Sequence, residues 1–158
     1  MESYEIIYKH FDELTNLELY EILRARSEVF VVEQNCVCQD LDGRDVFSFH
    51  LFAKREDGSV AGCLRIFMKP DEEHTAVIGR VVTTARGCGL GGRLLHEAVC
   101  RIREENRADQ IYIEAQQYAI GYYQKEGFKV VSGLFLEDGI PHVQMRLHLE
   151  TSQEEGEG

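Results

Sequence analysis

In this 158-residue chain, the stretch Arg86-Gly87-Cys88-Gly89-Leu90-Gly91-Gly92 points most directly to chemistry. Glycines at 87, 89, 91 and 92 let the backbone turn tightly, so that several N–H groups can face one concavity. The run that follows carries Leu94, Leu95, Ala98, Val99 and Ile102 on one helical stripe. Such a helix would add its unpaired first amides and the positive end of its dipole to the same concavity. Together Gly87, Cys88, Gly89, Leu90, Gly91 and Gly92 would hold a phosphate or pyrophosphate, with Arg86 as a charged contact. The alternative is a turn rich in glycine for packing alone. Three arginines form a second set. Arg65 and Arg80 each sit inside an apolar, strand-like run, and Arg26 sits on an apolar helical stripe. A cation in such a place must be paired or face a cleft. Either these arginines pair with Asp40, Asp42 and Asp45 and fasten that loop down, or they fork around a carboxylate or phosphate of a substrate.

Two common nucleotide sites do not fit the turn. A P-loop needs Lys-Ser/Thr after its last glycine, where this chain has Arg93-Leu94. A dinucleotide fold needs its glycine turn early, in a repeated βαβ pattern, and this turn falls past mid-chain. Five cysteines make an odd set that reads as free thiols. Cys36 and Cys38 could in principle join His50, His74 or His142 around a metal, but the spacing is not that of a zinc knuckle, and no metal is expected. The net charge of −11 disfavours phosphate backbones, so no nucleic acid partner is expected. No apolar run approaches the roughly 20 residues that cross a bilayer, and residues 1–11 do not read as a signal peptide, so no membrane partner is expected and the cytoplasm is the expected location.

The elements that must position these groups follow from periodicity and turn chemistry. Thr15 to Glu18 reads as a capping box opening a helix that places Leu19, Ile22, Leu23, Arg26 and Phe30 on one face. Phe49 to Lys54 and Val60 to Phe67 read as strands joined by an Asp57-Gly58 hairpin. Ala76 to Thr83 is a third strand, ahead of the glycine turn and its helix. Ile111 to Ala115 is a strand, Tyr118 to Glu126 a short helix stopped by Gly127, and Lys129 to Leu136 and His142 to Leu149 are closing strands. The order predicts one α/β domain over residues 1–149 with a mixed sheet. Residues 150–158, rich in Gly and Glu, read as a disordered acidic tail.

At this point the chain resembles a family. Arg86-x-x-Gly89-x-Gly91 matches the Arg/Gln-x-x-Gly-x-Gly/Ala signature of the GNAT acetyltransferase superfamily. Tyr122-Tyr123-Gln124-Lys125-Glu126-Gly127-Phe128 resembles the family's aromatic-Tyr-x-x-x-Gly-Phe helix. The ElaA-like subgroup is similar over Val29 to Cys36, Gln39 to Gly43, Gly79-Arg80-Val81, Ala115-Gln116 and Asp138 to His142. The resemblance implies a GNAT-type mixed sheet of about six or seven strands flanked by about four helices, with a splayed central strand pair. It implies acetyl-CoA as cosubstrate, a small-molecule amine as acceptor, and a monomer or homodimer.

What the resemblance implies for individual residues can be stated as a reaction. The CoA pyrophosphate would lie on Arg86 to Gly92, and Gln116 would contact the CoA arm. An amide near Val81 or Val82 would bond the thioester oxygen, a contribution of about 3 kcal/mol for one such donor. Phe30 and Gln34, with Arg26, Arg65 and Arg80, would face the acceptor. An amine with a lysine-like pKa of about 10.4 is almost wholly protonated at pH 7, so a proton must leave before attack. Many members of the family carry a glutamate base on the strand that here reads Gly79-Arg80, so the base is sought among Glu33, Glu114, His50 and His142. Tyr123 aligns with the residue that protonates the leaving CoA thiolate. The competing function is a non-catalytic acyl-CoA-binding regulatory module. A third possibility is the related acyltransferases that make signalling lactones, which usually lack a good pyrophosphate turn.

Overall fold

The computed structural model describes residues 3–35, 39–85 and 87–149. The expectations for Cys36, Cys38, Arg86 and the tail 150–158 lie outside the described residues. Eight strands of an open mixed sheet and three α-helices form the described fold. Two compact units share strand β4 (Thr75–Thr83) and helix α2 (Leu90–Glu105): one comprises residues up to Phe67 with Gly79–Leu95, the other Met68–Ile78 with the residues from His96 onward.

The first unit begins with β1 (Glu5–His10) and α1 (Asn16–Arg26). The expected capping box is present: Thr15 Oγ1 accepts from the Glu18 amide at 3.0 Å, and the Thr15 amide donates to Glu18 Oε1 at 2.9 Å. Past Arg26 the helix widens into a π-helical stretch over Ser27–Glu33, closed by the Gln34 amide bonding the Val29 carbonyl at 3.0 Å. Strands β2 (Phe49–Lys54) and β3 (Val60–Met68) form the expected hairpin, with Gly58 at φ +91° and the Asp57 carboxylate accepting from the Ser59 amide. The strand order in this unit is β1-β2-β3-β4, with β1 antiparallel to β2 in the register Glu5↔Lys54 to His10↔Phe49. Ile22, Ala25, Val29, Phe52, Val60, Cys63 and Val82 build its core, with Ile7, Leu14 and Phe30 packed against it. Burial pushes the Cys63 thiol up to about 12, the state of an inert core thiol.

In the second unit β4 pairs in parallel with β5 (Gln110–Gln116) in the register Thr75↔Gln110 to Val77↔Tyr112. Beyond β5 lies β8 (Ile140–His148), antiparallel to it, and the short strands β6 (Lys129–Val130) and β7 (Phe135–Glu137) both pair with β8. Asp138 and Gly139 form a two-residue turn with φ of +51° and +76°, the conformation that joins strands of ordinary twist most tightly. Helix α3 (Ile120–Gln124) ends as expected at Gly127, whose φ is +102° and whose amide, with that of Phe128, bonds back to the last helical carbonyls. Arg146 pairs with Glu72 at 2.6 Å and lies 4.9 Å from the Tyr112 ring centroid, tying β8 to the turn before β4.

The strand count exceeds the expected six or seven because β1 carries no clean alternation and because the run Lys129 to Leu136 is two strands separated at Ser132-Gly133. Helix α2 packs against β3 because residue 62 is glycine: a Cβ there would lie 3.0 Å from Leu94 Cδ1, 3.2 Å from Leu90 Cδ2 and 3.2 Å from Thr83 Cγ2. Gly62→Val is therefore expected to lower stability by about 1–3 kcal/mol. Denaturant melts will check this, with Gly58→Ala as a contrast that strains a turn without crowding α2.

Candidate active site

The glycine turn has the conformation an anion cradle requires. Gly87 and Gly89 both lie at φ +72°, and a Cβ added at either would meet nothing within 4 Å. The glycines are thus needed for backbone direction rather than for room. The Arg93 amide bonds the Gly89 carbonyl at 3.1 Å, which makes Gly89 the residue before the first turn of α2 and leaves the amides of Leu90, Gly91 and Gly92 without helical partners. Leu90 is 3% exposed and pins this end of the helix, while Gly87, Cys88 and Gly89 are exposed. Amides without helical partners, a positive dipole end and open space fit the diphosphate of a CoA molecule.

Strand β4 breaks its own regularity just upstream. Arg80 has φ +51°, the left-handed region, in mid-strand. The other non-glycine residues there, among those described, are Asn35, His74, Asn106 and Asp138, types that tolerate it in loops and turns. Val81 is half-buried and Val82 belongs to the core.

The three arginines of the sequence analysis meet the three aspartates. Arg26, 1% exposed, donates Nε to Asp40 Oδ2 at 3.0 Å and Nη1 to Asp45 Oδ1 at 2.7 Å. Arg65, 3% exposed, donates Nη1 to Asp42 Oδ1 at 2.8 Å and Nη2 to Asp42 Oδ2 at 2.6 Å, a bidentate fork, and also reaches Asp45 at 3.2 Å. Arg80 donates Nη2 to the Asp40 carbonyl at 2.8 Å. Its Nε lies 2.8 Å from Asp40 Oδ1, a charge contact whose angle makes no hydrogen bond. The geometry is that of the loop-fastening account: three arginines meet three aspartates in one cluster, with Arg44 at its edge 3.9 Å from Asp42. Burial by itself would raise Asp42 and Asp45, but the Arg65 and Arg26 hydrogen bonds outweigh it and hold both carboxyls below the usual range. His50 is 1% exposed, bonds the Asp45 carbonyl through Nε2 at 3.0 Å, and is held low by burial. A carbonyl only accepts, so this nitrogen carries the proton and His50 serves the cluster as a neutral donor.

Glu33 and Gln34 close the π-helical stretch, Glu33 exposed and Gln34 half-buried, and Phe30 packs on the core of the first unit. In the second unit, His142 lies opposite Gln116 on β5 and opposite Phe135 on β7. Its Nδ1 bonds the Ile140 carbonyl at 2.7 Å, so Nδ1 carries a proton, and its Nε2 lies 3.7 Å from Glu137 Oε2. Tyr123 is 8% exposed and packs edge-on against Phe128 and Tyr122, and burial raises its hydroxyl well above the ordinary value. The neighbouring Tyr122 hydroxyl oxygen is buried with no hydrogen-bond partner, and burial pushes that group up to about 12. Sequence reasoning passed over this orphaned hydroxyl, and also the left-handed backbone at Arg80, whose sole signal is the adjacent Gly79. Among the described residues no group of three or more His, Cys, Asp and Glu side chains could hold a metal, and no helix is long and apolar enough to cross a membrane.

Residues 25–149 match the family model described as an acetyltransferase (GNAT) domain. The chain is similar to a UPF0039 protein of Schizosaccharomyces pombe, 38% identical over 94% of this chain and 100% of that one. Protein ElaA of Escherichia coli is 36% identical over 86% of this chain and 91% of its own length. Among solved structures, an acyl-CoA N-acyltransferase from Pseudomonas aeruginosa superposes with a TM-score of 0.84 at 40% identity, covering 91% of this chain and 99% of that one. The acyl-homoserine-lactone synthase LasI superposes with a TM-score of 0.73 over 95% of this chain and 92% of its own, at 18% identity, a likeness of fold alone.

The cluster of arginines and aspartates sets the acid behaviour of the fold. A carboxyl depressed by folding adds stability above its unfolded value of about 3.9, and that stability is lost as pH falls through the folded value. Urea midpoints are expected to be flat from pH 7 to about 5 and to fall steeply below pH 4, and Asp42→Asn should flatten that slope. Arg26→Ala, which removes the 2.7 Å partner of buried Asp45 and the Nε partner of Asp40 and leaves Asp45 with Arg65 alone, should destabilise the protein by about 3–5 kcal/mol at pH 7.

Proposed function

Because this chain belongs to the GNAT acetyltransferase family, whose fold carries acyl transfer from acyl-CoA, we propose that it moves an acetyl group from acetyl-CoA to a primary amine of a small molecule by direct attack on the thioester. The observation that carries this reading is the start of α2, where glycines at φ +72° and helix amides without helical partners face open space. The diphosphate of acetyl-CoA would rest on Gly87 to Gly92, with Arg86 as a charged contact. The pantetheine arm would pair along β4 past Val77, as an added strand pairs with a sheet edge. An amide at Val81 or Val82 would bond the thioester oxygen and hold the charge that develops there as the amine attacks. Gln116 would steady the CoA arm.

The amine must first lose a proton. His142 can take it at Nε2, with Glu137 beside the resulting imidazolium, and exposed Glu33 is the second candidate. As the tetrahedral intermediate collapses, the C–S bond breaks and the thiolate takes a proton from Tyr123. Burial raises the Tyr123 hydroxyl, which keeps it protonated through neutral pH and makes it a weaker acid than a solvent-exposed tyrosine, so the role rests on the family resemblance rather than on this shift. With Arg26, Arg65 and Arg80 all engaged by aspartates, the acceptor would be held by Phe30 and Gln34 rather than by a bare arginine fork. The net charge of −11 also favours a cationic amine at the surface.

Release of CoA from acetyl-CoA over an amine library, with mass detection of the N-acetyl product, tests the reading directly. A chain that bound CoA yet released none with any amine would be a binding module instead. Gly91→Asp places a carboxylate in the first turn of α2, where it suits the helix dipole, so folding should be kept while CoA binding falls by at least 100-fold. Titration calorimetry at matched thermal stability will measure this. Tyr123→Phe should lower kcat by ~10²–10³-fold with CoA affinity nearly unchanged, and a normal kcat would leave Tyr123 as a packing residue.

A further inference from the structure

Arg80 combines two features that no other described residue shares. Its backbone is left-handed in the middle of a strand, at φ +51°, and its side chain is held by carboxyl-bearing residues of a loop 38 and 40 positions away. A long side chain gains nothing locally from that conformation. Unlike the Asn and Asp residues at positive φ elsewhere in the chain, arginine has no short polar group to bond its own backbone. Something outside the strand must therefore hold it there. Asp40 and Asp42 are suited to that task because they are themselves immobilised. Asp40 is held by Arg26 of α1 at 3.0 Å, and Asp42 by the bidentate fork of Arg65 on β3. The Arg80 head group thus meets a rigid anchor, 2.8 Å from both the carbonyl and one carboxylate oxygen of Asp40. Gly79 beside it removes the Cβ that would restrict the backbone on the N-terminal side.

A left-handed residue inside an extended strand breaks the alternation of amide directions, so the N–H groups that follow it point where a regular strand would not send them. Those amides belong to Val81 and Val82. We propose that Arg80 is a positioning residue: its contacts with Asp40 and Asp42 hold its own backbone left-handed, and that backbone aims the Val81 or Val82 amide at the acyl oxygen of the thioester. This inference rests on the acyl-CoA reading above and adds to it the device that shapes the oxyanion contact. It also gives the loop Gln39 to Asp45 a role in catalysis without contact to substrate.

The test separates backbone conformation from charge. Glycine adopts positive φ freely and alanine does not, while both remove the guanidinium. In protein labelled with ¹⁵N-valine, the Val81 and Val82 amide signals are expected to move when acetyl-CoA replaces CoA. Arg80→Ala should abolish that response and lower kcat by about 10–100-fold, somewhat less than the ~10²–10³-fold cost of removing an oxyanion donor outright, because the amide is misaimed rather than lost. Arg80→Gly should recover most of both. Asp42→Asn, which keeps the arginine but weakens its anchor, should resemble Arg80→Ala in lesser degree and serves if the alanine variant does not fold. Equal losses in the alanine and glycine variants would overturn the inference while leaving the acyl-CoA reading intact. Equal rises in acceptor KM with unchanged valine signals would overturn it in favour of substrate recognition by Arg80. If the wild-type protein bound neither CoA nor acetyl-CoA, the acyl-CoA reading would fail and the inference with it.

Discussion

Two buried guanidinium groups and a third half-buried beside them need anions, and this requirement organises the first unit of the fold. Arg26 and Arg65 are almost wholly withdrawn from water, and isolated charges so placed would be prohibitively unstable. The short segment Asp40 to Asp45 supplies the anions and is thereby tied to α1, β3 and β4 together. The gain is one of definition more than of stability. A buried ion-pair network contributes little net free energy compared with well-packed apolar groups, but losing one member leaves an uncompensated charge. The loop therefore has essentially one way to sit. Neutral His50 completes the arrangement: a protonated imidazole beside Arg26 and Arg65 would upset the balance of charges, and burial keeps it uncharged.

The same accounting shows which features were legible in the sequence. The capping box at Thr15, the Asp57-Gly58 hairpin and the stop at Gly127 could be read because each is a local contract between a residue type and a backbone geometry. The tight glycine turn ahead of α2 was readable for the same reason, since glycines crowded before an amphipathic helix admit few backbone paths. For the arginines, apolar surroundings required that each charge be paired or face a cleft, and Asp40, Asp42 and Asp45 were identifiable as partners. Choosing between partner and substrate needed distances. Strand β1 and the division between β6 and β7 were illegible because neither depends on a local pattern. Glu5 to His10 becomes a strand by pairing with β2, which follows it by roughly forty to fifty residues in sequence. The left-handed backbone at Arg80 was hidden for a related reason: propensity argues against it, and long-range ion pairs override propensity.

Gly79-Arg80 also bears on where the base of the reaction can lie. Many family members place a glutamate on this strand, as the resemblance implies. Here an arginine occupies the position, and its charge is spent on Asp40 and Asp42. A carboxylate base beside such a cluster would have its pKa lowered by the arginines and would be a weaker proton acceptor. Under the acyl-transfer reading proposed above, an imidazole base would avoid this. His142 has its tautomer fixed by the Ile140 carbonyl, which leaves Nε2 as the acceptor, and a tight Asp138-Gly139 turn sets its place on β8. Under the proposed reading, strand and base would be a linked pair of choices: with residue 80 an arginine locked to a loop, the strand would shape the oxyanion contact, and proton transfer would fall to His142.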